Sequence, residues 1–233
     1  MSTHPKIQFE PGKKYRLITR SDMDGLVCAV ILRELDLIDD ILFAHPEDMQ
    51  DGKIEVGFND ITTNLPYVPS VHLCFDHHAS EEQRLGKQPS NHVIDPEAPS
   101  AARVVHNFFK GDPRLAVVSD ELMTAVDKVD SAGFTREDIL HPQGWELLSF
   151  IMDARTGLGR FKDFNISNYQ LMMNLIDYVR DSKSVADILA IPDVKERVDI
   201  YFAHKEKFQE QIQRCARLEK NFIVLDLRRE ETQ

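Results

Sequence analysis

Residues 15–25, Tyr15-Arg16-Leu17-Ile18-Thr19-Arg20-Ser21-Asp22-Met23-Asp24-Gly25, together with the helical stretch 26–37 that follows, decide the fold. Residues 15–19 form a short apolar run of strand type, and from Leu26 onward apolar residues recur at helical spacing. A strand that passes through a tight acidic turn into a helix is half of a βα unit, and the pattern repeats downstream. Residues 41–44 read as a second strand, 53–58 as a third that ends at Asn59-Asp60, and 71–75 as a fourth that ends at Asp76-His77-His78. Helices are predicted over 100–109, with Ser100 as N-cap, and over 120–129. The expected architecture is α/β, a parallel β-sheet flanked by helices over residues 1–135.

After Gly133 the alternation stops. Helical patterns occupy 145–154, 166–180, 184–189 and a long amphipathic segment 194–218, so residues 136–220 are predicted to form a mostly helical extension. The segment 194–218 is the surface on which a homodimer is expected, if one forms. Residues 221–227 read as a single strand with no partner after it, and 221–233 are expected to open a further domain.

Composition narrows the classes of function. The chain of 233 residues has 42% hydrophobic content and a formal net charge of -11, with a pI near 5.3. An acidic surface argues against broad binding to duplex nucleic acid or to an anionic membrane, because both need a basic face. A phosphorylated ligand then requires metal ions or a local group of arginines. Cys28, Cys74 and Cys215 are far apart and suggest neither a disulfide framework nor a CxxC metal site. No apolar leader and no membrane-length apolar run is found, so cytoplasmic residence is expected.

Three predicted strands end in acids: Asp22 and Asp24, Asp60, and Asp76-His77-His78. In an open α/β sheet, ligands bind at the carboxyl ends of the strands, where loops bring side chains to one place. Carboxylates gathered there raise one another's pKa and need a counter-charge. Two divalent cations balance Asp22, Asp24, Asp60 and Asp127, and mixed carboxylate and imidazole ligation suits manganese or magnesium better than zinc. A metal pair can activate water and stabilise both oxygens of an in-line displacement at phosphorus, which is the chemistry of phosphate-ester hydrolysis. For Asp22 the plain alternative is a helix N-cap, and for His77-His78 it is a pair of structural imidazoles.

The motifs SDMDG, FND, FDHH and AVDKVDS, in that order, resemble those of the DHH phosphoesterase superfamily, over about residues 15–135. The resemblance implies that Asp22 and Asp24 take one metal each, that Asp60 bridges both, and that His77 and Asp127 complete the second site, with Asp130 the rival of Asp127. It also implies that Asp76 orients an imidazole and that His78 contacts the scissile phosphate, the catalytic group being Asp76, His77 and His78. Two manganese ions, with magnesium as substitute, are the implied cofactors, and a short oligonucleotide or cyclic dinucleotide is the implied substrate. Pyrophosphate or polyphosphate, or a weakly catalytic nucleotide sensor, are the alternatives. Residues 18–21 lack the histidine that several branches place before the first aspartates. Residues 145–218 resemble the helical section of exopolyphosphatase-related members, and Asn221-Phe222-Ile223-Val224-Leu225-Asp226-Leu227 resembles the opening of the substrate-gripping domain.

Arg20, beside the acidic turn, and Arg160, with Arg155 at a glycine-containing turn, are candidate phosphate contacts, each with a plain structural alternative. His72 and His106 read as structural and His92 as undecided. Trp145, Met172 and Met173 read as core.

Overall fold

The structure, a computed structural model, describes residues 7, 9–153, 158–161, 163–181 and 183–231, with position 160 in its backbone only. Five parallel strands form the main sheet in the order β2-β1-β3-β4-β5, where β1 is Tyr15–Thr19, β2 Ile38–Phe43, β3 Asp60–Thr63, β4 Leu73–Asp76 and β5 His92–Ile94. The strand order reverses between β1 and β3, and at such a switch point the loops leaving two strands diverge and open a crevice.

Helix α1 (Met23–Glu34) explains why residues 23–32 are so apolar: all ten are buried. Around it lie α4 (Ala101–Phe108), α5 (Asp120–Asp130) and α8 (Asn168–Arg180). Short helices α2 (Pro46–Gln50) and α3 (Ala79–Leu85) follow β2 and β4, and α6 (Arg136–Leu140), α7 (Gly144–Met152), α9 (Val185–Ala190) and α10 (Pro192–Cys215) complete the helical part. One core runs from Leu17 and Phe75 through Leu26 and Val126 to Trp145, Leu175 and Val194. Ion pairs Arg33–Asp177 (2.9 Å) and Arg180–Glu34 (2.6 Å) fasten α8 to the outer turns of α1.

The third strand differs from expectation. Residues 53–58 alternate as a strand should, yet they join neither sheet; Ile54 and Val56 pack against a small cluster of Ile18, Met49 and Leu65. The strand is the polar-looking Asp-Ile-Thr-Thr that follows, and all four residues are buried. The Thr63 hydroxyl is satisfied internally, Oγ1 donating to Thr19 Oγ1 at 2.7 Å, which helps a threonine-rich segment occupy the middle of a sheet. The short strand β5 went unpredicted.

At the other end, the chain leaves α10 into β6 (Ala216–Glu219), which pairs antiparallel with β7 (Phe222–Leu225) through a turn at Lys220. The final strand therefore has a partner, taken from residues expected to be helical. Among the described residues, no helix is long and apolar enough to cross a membrane.

Candidate active site at the carboxyl ends of the strands

From Thr19 the chain turns through Arg20 and Ser21 into α1. Asp22 is the N-cap: its Oδ1 accepts from the Gly25 amide at 3.0 Å, and its Oδ2 lies 3.0 Å from Arg20 Nε. The capping role and the place beside the crevice therefore meet in one carboxylate. Gly25 is demanded by space, because a Cβ there would lie 2.0 Å from the Arg20 carbonyl oxygen. Asp24, one residue earlier, is buried against the start of α4 and accepts from the amides of Ala101 (3.1 Å) and Ala102 (2.7 Å). The positive end of that helix thus orients the carboxylate.

β4 delivers the second group. Asp76 Oδ1 accepts from the amides of His77 (2.8 Å) and His78 (3.3 Å) and lies 2.7 Å from His78 Nδ1, so the buried acid fixes the backbone of both histidines and the imidazole of His78. His77 Nδ1 lies 3.1 Å from the Ala98 carbonyl oxygen, which requires a proton on Nδ1 and aims Nε2 inward. That Nε2 is 2.8 Å from Asp130 Oδ2, on the last residue of α5. The two atoms are close without hydrogen-bond alignment, since Nε2 is a buried nitrogen with no aligned partner. Asp24, His77 and Asp130 each offer one ligand atom, and these lie within 4.8 Å of one another.

These residues line a cavity of about 570 Å³, with Asp22, Arg20, His78 and Asp153 at its sides. Burial raises Asp24 well above the usual carboxylate range, and the charges of Asp130 and Asp22 add to the rise. Asp22 is raised too, by burial first, with Asp130 and Asp153 adding and Arg20 opposing. Burial pulls His77 downward, but the Asp130 carboxylate and Asp24 outweigh it and hold its pKa above the ordinary value. Crowded carboxylates and a basic imidazole have one physical meaning: the site favours positive charge at its centre. Oxygen and imidazole donors converging on one point fit a hard divalent cation.

Comparison with solved structures then places the chain. The pGpG-specific phosphodiesterase PggH from Vibrio cholerae superposes with a TM-score of 0.83 at 55% sequence identity, over 94% of this chain and 70% of that one. The chain belongs to the PggH family. An uncharacterized protein from Helicobacter pylori G27 aligns at 12% identity and a TM-score of 0.40, over 91% of this chain and 74% of that one, which supports nothing further. No protein-family model matches the chain, and no curated protein matches it.

In this member of the PggH family, two expected ligands lie elsewhere. Asp60 is the first residue of β3, opposite Arg16 of β1, at the amino end of the sheet and roughly 10 Å of strand away from Thr63. It accepts from Arg16 Nε at 2.8 Å and from the Gly57 amide at 2.7 Å, so it does not join the crevice. The error follows from the misplaced third strand, which put Asp60 at an end rather than a beginning. Asp127 points to α4: it is paired with the Arg103 guanidinium and accepts from Ser100 Oγ at 2.7 Å. Three residues along a helix is nearly a full turn, but only Asp130, at its end, reaches the strand termini. The side chain of Arg160 lies outside the described residues, and so does Arg155.

Asp153, at the end of α7, was missed, because nothing in its local sequence separates it from a helix-end acid. Asn64 was missed as well. It follows β3 at the carboxyl end with φ 56°, is 1% exposed, and both polar atoms of its amide are unpaired. A positive φ at a non-glycine residue after a strand is a signal visible only in the backbone. His72 and His92 are stacked on Tyr15 and Tyr67, with ring centroids 4.3 and 5.2 Å apart, and lie away from the cavity.

Proposed function

We propose that this chain is a divalent-metal-dependent phosphodiesterase of the DHH superfamily that hydrolyses short linear oligonucleotides, pGpG foremost, in the cytoplasm. The observation that carries the reading is the convergence of Asp24, His77 and Asp130 at the strand ends of a chain 55% identical to a pGpG-specific phosphodiesterase. Manganese is the preferred ion and magnesium its substitute, given the mixed carboxylate and imidazole donors. Asp24, His77 and Asp130 would hold one ion, and Asp22 with Asp153 would contribute to a second. Bound there, the ions supply an activated water and positive charge for the phosphate oxygens.

The chain's own residues do the rest. Asp76 fixes His78 through Nδ1, which leaves Nε2 of this half-exposed imidazole for a phosphate oxygen. Arg20, which lines the same cavity, brings a guanidinium to the same anion, and Asp22 keeps it in place. The Ala98 carbonyl holds the His77 tautomer, and the α4 amides hold Asp24, so the donors are set before an ion arrives. The test is hydrolysis of pGpG by the purified chain across a manganese titration, followed as release of GMP. Turnover that chelation and His77→Ala both abolish supports the reading. No release at any manganese or magnesium concentration overturns it.

A further inference from the structure

The cavity that holds the acids has a second wall of a different chemistry. Phe134, in the loop after α5, and Phe150, on α7, line it together with Val129. Their rings sit 5.1 Å apart with a 56° tilt, and Phe150 in turn lies 6.3 Å from Tyr201. Both are half-buried, and neither is among the side chains packed on the main core, where Val129 and Tyr201 do pack. Two phenyl rings kept partly in water, on the wall of a polar cavity, are poorly explained by folding alone.

The wall is tied to the acid cluster by short stretches of chain. α5 ends at Asp130, and the same chain reaches Phe134 after one tight turn in which Ala132 takes φ 54°. On α7, Phe150 precedes the Asp153 cap of its own helix. Asp130 and Asp153 therefore each have an aromatic residue of the wall three or four positions away along the chain. A cavity of about 570 Å³ lies in the range that takes a small-molecule ligand whole.

We infer that Phe134 and Phe150 form a stacking platform for a purine base of the dinucleotide, which sets the distance from base to scissile phosphate. The inference rests on the proposed reading that the cavity hydrolyses a short oligonucleotide. A base is the moiety that fits: it is neutral, so the net negative charge of the site does not repel it, and its flat face is complementary to a phenyl ring. Base recognition by these rings is tolerant of sequence, and Phe134 and Phe150 thus select for the presence of a base at this distance rather than for its edge.

The experiment uses the full chain and two probes. One is pGpG, with KM and kcat measured in manganese; the other is a dinucleotide carrying 2-aminopurine in place of one guanine, whose fluorescence is quenched on stacking. Phe134→Leu and Phe150→Leu keep apolar bulk, and their melting curves report whether they fold. The expected result is a KM rise of roughly 5- to 150-fold for pGpG in each, the span covered by losing one base–aromatic stack. The kcat change should be smaller than the KM change, bound 2-aminopurine quenching should weaken, and Phe150→Tyr should restore both. A dinucleotide with abasic sites in place of its bases should bind wild type and Leu variants alike. Turnover of pGpG with KM unaltered in both folded Leu variants overturns the platform while the proposed activity stands. Quenched binding by wild type, lost in the Leu variants, with no turnover in any metal, supports the platform and refutes the activity.

Discussion

Asp127 and Asp130 sit on the same helix, and exchanging each for asparagine separates a proposed ligand from a brace. Asp130 Oδ2 is 2.8 Å from His77 Nε2 and belongs to the three-donor group. Asp130→Asn removes one charge and one oxygen from that group, whereas loss of an outer partner of a metal ligand typically costs 10–100-fold. Loss of a donor itself is therefore expected to lower pGpG turnover at fixed manganese by about 100-fold or more. Its effect on metal-free stability should be small, because the lost pair with His77 is offset by relief of repulsion on Asp24. Asp127→Asn acts differently. It strips a bidentate charge from Arg103, with Nε at 2.9 Å, and an acceptor from Ser100, the N-cap of α4. A charge-assisted bond of this kind contributes roughly 1.5–3 kcal/mol, and partial exposure of the two side chains (18% and 28%) argues for the lower part, about 2 kcal/mol. For a chain of this size that is roughly 4–8 °C in Tm. Turnover should fall by about tenfold at most, through loosened α4 amides around Asp24. Thermal melting and steady-state hydrolysis of pGpG on both variants decide it. An Asp127→Asn enzyme that is dead but thermally normal, beside an active Asp130→Asn enzyme, would show that the donor assignment is wrong.

Three further outcomes are expected. Gly25→Ala drives a Cβ to 2.0 Å from the Arg20 carbonyl oxygen, so the acidic turn must shift; roughly 1–3 kcal/mol of stability and most activity should go, and a variant with wild-type melting and turnover would contradict the packing. Burial lowers the pKa of His72, His92 and His106, so each takes up its proton more readily when unfolded; the stability they contribute is present above about pH 6.5 and is lost as pH falls below it. Urea midpoints at pH 7.5 and 5.5 should therefore show a shallower decline in His92→Phe than in wild type, and equal slopes would count against the neutral imidazole. Arg197, 1% exposed, donates to the Ile166 carbonyl (2.8 Å) and the Asp193 carbonyl (3.0 Å) and lies 4.0 Å from the centroid of the Phe164 ring; Arg197→Met is expected to cost about 2 kcal/mol or more, read as a drop of roughly 4–8 °C or more in Tm. An unchanged melting curve would show that those carbonyls find other partners.

The fold was legible wherever periodicity and burial coincide. Residues 15–19 and the helix after them could be read directly because apolar side chains on β1 and α1 have no other place to go. The third strand was illegible because it buries two threonines, one of them paired with Thr19 of β1, a signal that apolar alternation does not carry. The neighbouring stretch 53–58 carries that alternation for a different reason, packing Ile54 and Val56 on a satellite cluster. Of the candidate site, Asp22, Asp24, His77 and His78 were legible as neighbours of one cavity because turn and strand end fix their direction locally. Which acid of α5 joins them depends on how the helix is placed against α4, and the Arg103 partner that claims Asp127 is a long-range contact with no trace in either local motif.

Charge explains why the crevice survives the change in membership. The sequence reading needed four carboxylates at the strand ends, drawn from Asp22, Asp24, Asp60 and Asp127; the folded cavity is lined by Asp22, Asp24, Asp130 and Asp153. The two that drop out are held away from the crevice by arginines, Arg16 for Asp60 and Arg103 for Asp127, whereas the arginine paired with Asp22, Arg20, lines the cavity itself. Asp24 and Asp130 are gathered around an imidazole instead of a guanidinium, and imidazole is the one basic side chain that can give up its proton and remain as a ligand. The two acids of α5 are thus told apart by their counter-charge: the Arg103 guanidinium makes Asp127 a structural brace, and the inward-facing His77 imidazole puts Asp130 at the proposed cation site.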